Sequence, residues 1–151
     1  MSVKIGVISD THGLLRPEVT AVLQTCDTIL HAGDVDRPEI LDALRLIAPL
    51  HVVRGNNDRD WARYLPRSLP FSIEGVRFLM VHNKNDLTKA LGSRQVIVFG
   101  HTHQYFENVV DGRLWLNPGS CGKPRFRQAL SMATMHIENG LYHVEKIPIQ
   151  P

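Results

Sequence analysis

Apolar residues in the first third of the chain come in short runs separated by polar, glycine-containing joints. "VKIGVIS" is rich in β-branched residues and reads as a buried strand, and "TILHAG" and "LHVVRG" repeat that texture. Between these runs the period changes. In "EVTAVLQTC" apolar positions fall at Val19, Val22 and Leu23 just behind Pro17, and in "RPEILDALRLIA" Ile40, Leu41, Leu44 and Ile47 share one face. Both spacings predict helices. The order strand–helix–strand–helix–strand predicts a largely parallel α/β half.

Further on the texture alters. "FSIEGVRFLMVH" predicts two strands turning at Glu74-Gly75, "DLTKALGS" a brief helix ending near Gly92, and "QVIVFG" another strand. From Tyr105 onward the pattern is antiparallel in style, with hairpin signals at Asp111-Gly112 and Asn139-Gly140. The terminal "PIQP" reads as a frayed tail. With no internal repeat, low-complexity stretch or linker, residues 1–151 are expected to form one domain, a two-sheet α/β sandwich.

Composition narrows the class without naming a reaction. A chain of 151 residues and 17.0 kDa, 43% apolar and 21% charged, suits a globular domain with a sizeable core. No apolar window is long enough to span a bilayer, and the N-terminal run lacks the layout of a secretory signal, so the expected compartment is the cytoplasm. Cys26 and Cys121 are far apart and form no C-x-x-C pair, which predicts two reduced thiols. A formal charge of +2 is too small to argue for nucleic acid.

The polar residues are placed more tellingly. "VISDTHG", "HAGDVD", "VRGNNDRD", "LMVHN" and "VFGHTH" each follow a predicted strand. In open α/β sheets the carboxyl ends of strands converge on a ligand-binding crevice, so Asp10, His12, Asp34, Asn56, His82, His101 and His103 are expected to meet. His101 and His103, spaced i and i+2, would face one cavity if extended. Crowded aspartates stay ionised only if cations neutralise them. Mixed imidazole and carboxylate donors suit zinc, manganese, iron or nickel better than calcium. Seven ligands exceed one tetrahedral site but fit two metals about 3.5–4 Å apart that share a carboxylate and clamp a phosphoryl group.

The ordered set D-x-H, G-D, G-N-x-D, a lone H and G-H-x-H resembles the calcineurin-like metallophosphoesterase superfamily. The short length and "NPGS" resemble its small bacterial and archaeal phosphodiesterase branch. The resemblance runs from Asp10 to about Arg125. It implies a four-layer αββα sandwich of two mixed β-sheets flanked by helices, the metallophosphoesterase fold. It also implies two divalent transition-metal ions, manganese first, with nickel, iron or zinc as alternatives. Asp10, His12 and His103 would hold one ion and Asn56, His82 and His101 the other, with Asp34 bridging. A solvent hydroxide between the ions would attack phosphorus in line with the leaving oxygen. The expected activity is that of a metal-dependent phosphodiesterase on a small or exposed diester, with Asp34, Asn56 and His101 at its catalytic centre.

Two departures from the family pattern bear on substrate. Many larger relatives read G-N-H-D and use the histidine to protonate the leaving group. Here the position is Asn57, which has no proton to give at neutral pH, so acidic leaving groups should be favoured. At "VHNKND", relatives often carry a further histidine where this chain has Lys84. Arg125 is expected to reach a substrate phosphate, and Asp58 to hold the Asn56 loop. The remaining polar residues have plainer readings. Asp36 and Asp60 are expected to cap or flank local elements, and His51, His136 and His143 to be ordinary core or surface residues. His31 is expected to orient a ligand or serve as a hydrogen-bonded core histidine.

The competing functions are a nuclease and a non-catalytic interaction scaffold. Against a nuclease stand the lack of an aromatic stacking stretch and of a strong basic block. The scaffold arises because this fold has relatives that serve as trafficking subunits after losing metal ligands. A small-molecule substrate, no membrane, and an open question of homo-oligomerisation complete the expectations.

Overall fold

The computed structural model describes residues 2–87, 91–124 and 128–150. Ten strands form two mixed five-stranded sheets that pack face to face. The first sheet has the order β10-β9-β1-β2-β3, from β1 (Ser2–Ile8), β2 (Thr28–His31), β3 (Leu50–Val52), β9 (Leu130–Glu138) and β10 (Leu141–Ile149). Its β1, β2 and β3 are parallel, joined through α1 (Pro17–Leu23) and α2 (Pro38–Arg45) as the apolar periods require. The second sheet has the order β4-β5-β6-β8-β7, from β4 (Ser68–Ile73), β5 (Val76–Val81), β6 (Val96–Val98), β7 (Phe106–Val110) and β8 (Arg113–Asn117).

The two cores explain the strand sequences. Ile5, Val7, Leu30, Ala32 and Val53 of the first sheet meet Val76, Phe78, Met80, Val96, Val98, Leu114 and Leu116 of the second. On the opposite face Ile8 and Ile29 pack against Val19 and Leu23 of α1 and Ile40, Leu41 and Leu44 of α2. Central parallel strands buried on both faces lose the polar alternation of a half-exposed strand, hence the unbroken run "IGVI". Each fully buried Leu or Ile contributes about 1.5–3 kcal/mol.

Three hairpins close where expected. Glu74-Gly75, Asp111-Gly112 and Asn139-Gly140 are two-residue loops in which both residues have positive φ, the twist that suits flanking β-strands.

The C-terminal segment is a correction. The first two residues of "PIQP" do not fray, because β10 runs to Ile149, with Pro148 opposite Ser131 and Ile149 opposite Leu130. Proline is tolerated because β10 is an edge strand and its missing N–H costs the ladder nothing. The short helix expected from Asp86 falls partly on residues 88–90, outside the described residues. Before it lies only a 3₁₀ turn, Lys84–Asp86. Both cysteines are free and buried, and burial pushes the Cys121 thiol up to about 12.

Candidate metal centre

Strand ends supply the polar residues, and the backbone there is unusual. Asp10, His12, Asp34, Asp36, His101 and His103 all have positive φ, between 48° and 76°. Left-handed backbone costs of order 1–3 kcal/mol per non-glycine residue and persists where surrounding structure enforces it. Aspartate and histidine tolerate it better than most types. Here the strain concentrates on one cavity.

Two donor sets meet in that cavity. Asp10, His12 and His103 form one and Asp10, Asp34 and His82 the other, with the donor atoms of each set within 4.8 Å of one another. Asp10 Oδ1 lies 3.3 Å from His103 Nε2 and 3.6 Å from His12 Nε2, and His12 and His103 face each other Nε2 to Nε2 at 3.2 Å. Asp34 Oδ2 is 3.2 Å from His82 Nε2 and 3.8 Å from His12 Nε2. Asp10 belongs to both sets, and Asp34, the bridge that the resemblance implies, also approaches histidines of both.

Each donor is held from behind. The other Asp10 oxygen, Oδ2, accepts from Ser9 Oγ at 2.7 Å and from the His101 backbone N–H at 3.1 Å, so Oδ1 alone faces the cavity. His82 donates Nδ1–H to the Ala32 carbonyl at 2.8 Å, which turns Nε2 inward. His12 Nδ1 bonds Asp36 Oδ2 at 3.0 Å. Asp36 therefore orients a histidine rather than capping α2, whose N-cap is Arg37. Carboxylate- or carbonyl-backed imidazoles are the usual arrangement around a bound metal. Asp58 accepts three backbone N–H groups, from Asp34 at 3.0 Å, Asp36 at 2.8 Å and Gly55 at 2.9 Å, and so ties two strand-end loops together.

The opening of the cavity is built from "GHTH" and "NPGS". Strand β6 ends at Val98, and His101 and His103 are loop residues with left-handed backbone rather than an extended pair. His103 is buried against His12, whereas His101 is exposed and meets His82 edge-on, ring centroids 5.3 Å apart. Asn117 braces that loop by donating Nδ2–H to the Gly100 carbonyl and to Thr102 Oγ1, and Ser120 Oγ donates to the Asp10 carbonyl. Asn56 is exposed, next to Gly55 on the loop that Asp58 ties down. Asn57 bonds Asp34 Oδ1 through its backbone N–H at 2.9 Å and sets its side-chain nitrogen 3.5 Å from His12 Nδ1. Arg125 lies outside the described residues. A pocket of about 220 Å³ beside the cluster is lined by His12, Asn57, His103, Lys123 and Pro124. Lys123 was not foreseen, since nothing local in "CGKPR" distinguishes it from a solvated lysine.

The electrostatics fit a cation site. Burial pushes the Asp10 carboxyl up, but the neighbouring His103 and His12 imidazoles, the His82 charge and the Ser9 hydroxyl together outweigh it and hold the group far below the carboxylate range. Asp34 is likewise held low, its burial outweighed by His82. Asp10 raises His12 to about 9 against its burial, with help from Asp36. Buried Asp10 Oδ1 and His82 Nε2 nonetheless lack a hydrogen-bond partner. Unpartnered buried donors and acceptors aimed at one point call for a ligand there. The set present, two carboxylates and three imidazoles, fits first-row divalent metals.

His31 is fully buried behind the centre, bonded to Thr11 Oγ1 and the Gly33 N–H, and burial lowers it to about 4. In the unfolded chain it takes a proton near 6.5, so between those values the unfolded state binds more protons and stability falls with falling pH. Asp10 and Asp34, held low, add their own loss only below 3.8, while His12 and His82, held high, take up their unfolded-state protons near 6.5 and shift both proteins alike. The metal-free protein is expected to lose about 3 kcal/mol between these limits that a His31→Gln variant does not lose. Urea unfolding at pH 7 and 4.5 measures the difference, and parallel losses in both proteins would refute it. His51, stacked on Phe71 at 4.3 Å, and His136 and His143, paired across β9 and β10, stand apart from the centre.

The chain is similar to known proteins in sequence and in fold. The calcineurin-like phosphoesterase superfamily domain matches residues 3–140. A probable metallophosphoesterase of Methanothermobacter thermautotrophicus is 39% identical over 135 residues, 80% of this chain and 78% of that protein. A phosphodiesterase of Methanocaldococcus jannaschii is 27% identical over 140 residues, 78% and 84% of the two chains. Among solved structures, Vps29 of Chaetomium thermophilum superposes with a TM-score of 0.78 at 19% identity over 97% of both chains, a likeness of fold.

Proposed function

The chain belongs to the calcineurin-like phosphoesterase superfamily, and on that premise we propose that it is a dinuclear-metal-dependent phosphodiesterase acting on a small or exposed phosphodiester. One observation carries the reading: two donor sets share a buried carboxylate oxygen that has no partner of its own. Asp10, His12, His103, Asp34 and His82 would hold the ions, with exposed His101 and Asn56 completing the set. Bound divalent cations supply positive charge that acidifies solvent water and draws electron density from a phosphoryl oxygen.

The chain's own residues do the rest. His82 and His12 are locked in orientation by Ala32 and Asp36, so the cavity needs little rearrangement on loading. Lys123 stands where its ammonium can pair with a non-bridging phosphate oxygen entering the side pocket. Asn57 occupies the rim at the position of the missing general acid. It can hydrogen-bond a leaving oxygen but cannot protonate it.

The direct test is metal analysis of the purified protein, then hydrolysis of an aryl phosphodiester with Mn²⁺, Ni²⁺, Fe²⁺ or Zn²⁺ added. Two equivalents of metal with turnover are expected. Bound metal with no turnover across mono- and diesters would replace this reading with the scaffold. A second test targets the leaving group. Asn57→His is expected to raise turnover of an alkyl diester by about 100-fold while barely changing an aryl diester, since only the poor leaving group needs a proton. Equal effects on both esters would show that position 57 has no such role.

A further inference from the structure

No single stretch of the sequence stacks aromatics, yet the fold assembles a stacking site from four segments. Phe99 at the end of β6, Phe106 and Val110 on β7, Trp115 on β8, and Lys84 and Asn85 after β5 line a groove of about 320 Å³. Phe99 lies 6.2 Å from Phe106 and 6.4 Å from Trp115 between ring centroids, at 53° and 69°. Lys84 Nζ stands 5.7 Å from the Phe99 centroid and 5.9 Å from that of Phe106. Phe106 and Val110 remain 42% and 45% exposed. An edge strand that leaves an aromatic and a valine in water carries an aggregation risk that proteins usually design away.

The groove adjoins the metal centre along the chain. Lys84 is two residues past His82, and Phe99 is two residues before His101. Two residues span at most about 7 Å. A groove lined by three rings, with one cation over two of them, suits a planar ring carrying negative charge. About 150 Å³ accommodates benzene, so this volume takes one ring or a fused pair.

Resting on the phosphodiesterase reading and deepening it, we propose that the groove binds the aromatic group of the phosphoester, with Lys84 pairing with its phosphate oxygen. The substrate class is therefore an aromatic phosphoester, whose ring is attached at phosphorus or lies across a sugar. A lone alkyl diester would leave the groove unfilled. Base- or aryl-on-aromatic stacking supports roughly a tenfold preference.

The test uses the full chain with Trp61→Phe, so that Trp115 is the remaining tryptophan and reports on the groove by fluorescence. Non-hydrolysable phenylphosphonate and methylphosphonate are titrated into zinc-loaded and into chelated protein, and a purine nucleoside monophosphate is compared with ribose 5-phosphate. Phenylphosphonate is expected to bind about tenfold more tightly than methylphosphonate. The preference should persist, at lower affinity, without metal, because the groove contains none of the clustered donors. Phe106→Ala, a partly exposed position that can be changed without unfolding, is expected to erase most of it. Lys84→Gln is expected to weaken phenylphosphonate binding and leave phenol binding unchanged. A preference seen only in the first pair assigns a ring on phosphorus, and one seen only in the second assigns a ring across a sugar. No preference in either pair, or one that survives both Phe106→Ala and Lys84→Gln, overturns the proposal. Failure to bind metal with the ring preference intact would instead overturn the phosphodiesterase reading alone.

Discussion

Asp10→Asn is expected to strip the protein of most of its bound divalent metal and to cut aryl phosphodiester hydrolysis by about 1000-fold or more, a barrier increase of about 4 kcal/mol. The reason is geometric. Asp10 is fully buried, its Oδ2 is occupied by Ser9 and the His101 N–H, and its Oδ1 is the one oxygen common to both donor sets. An amide keeps the shape but removes the charge, and it turns either a neutral oxygen or an N–H towards three imidazole nitrogens. The same change should release His12, which Asp10 more than any other group holds at about 9. The variant's His12 is then expected to titrate closer to an ordinary histidine, a shift readable by NMR in the metal-free protein. Unchanged metal content in Asp10→Asn would remove the basis for a shared carboxylate.

Gly55→Ala should be strongly destabilising for the addition of one methyl group. A Cβ at that position runs into the backbone nitrogen and carboxylate of Asp34. Neither can yield. The Asp34 N–H and Gly55 N–H both donate to Asp58 Oδ2, and Asp34 Oδ1 accepts from Asn57. Overpacking a site this constrained costs about 3 kcal/mol or more, or roughly 6–12 °C in Tm for a chain of this size. Gly75→Ala is the control. Its Cβ would meet nothing within 4 Å, and only its φ of +80° is unfavourable, so it should lose about 1–2 kcal/mol. Thermal unfolding of both variants separates crowding from backbone strain, and equal Tm losses would mean that Asp34 is not wedged as described.

How far the site could be read in advance differs from residue to residue. Asp10, His12, Asp34, His82 and His103 were legible because each follows an apolar run that can only be a buried strand, and strands of one sheet deliver their ends to one edge. Asp58 was legible as the last residue of "GNND". Asp36 was not, since an aspartate before a helix has a commoner use as a cap. Its bond to His12 depends on two loops meeting across 24 residues. The pairing of His101 with His82 and of His103 with His12 departs from strand geometry because the chain leaves the sheet at Val98. Pro148 lies in the stretch expected to fray, and its place in the ladder follows from the edge position of β10.

By itself, the order of residues determined the alternation of strands and helices, the three tight hairpins and the kinds of donor at each strand end, because these depend on local periodicity, turn chemistry and side-chain type. Only the tertiary structure decided which carboxylate oxygen faces both donor sets, that Asn56 is exposed, and that Phe99, Phe106 and Trp115 line one groove with Lys84. Those outcomes depend on sheet order and strand register, which are set by the packing of two cores and bring together residues that no local pattern links.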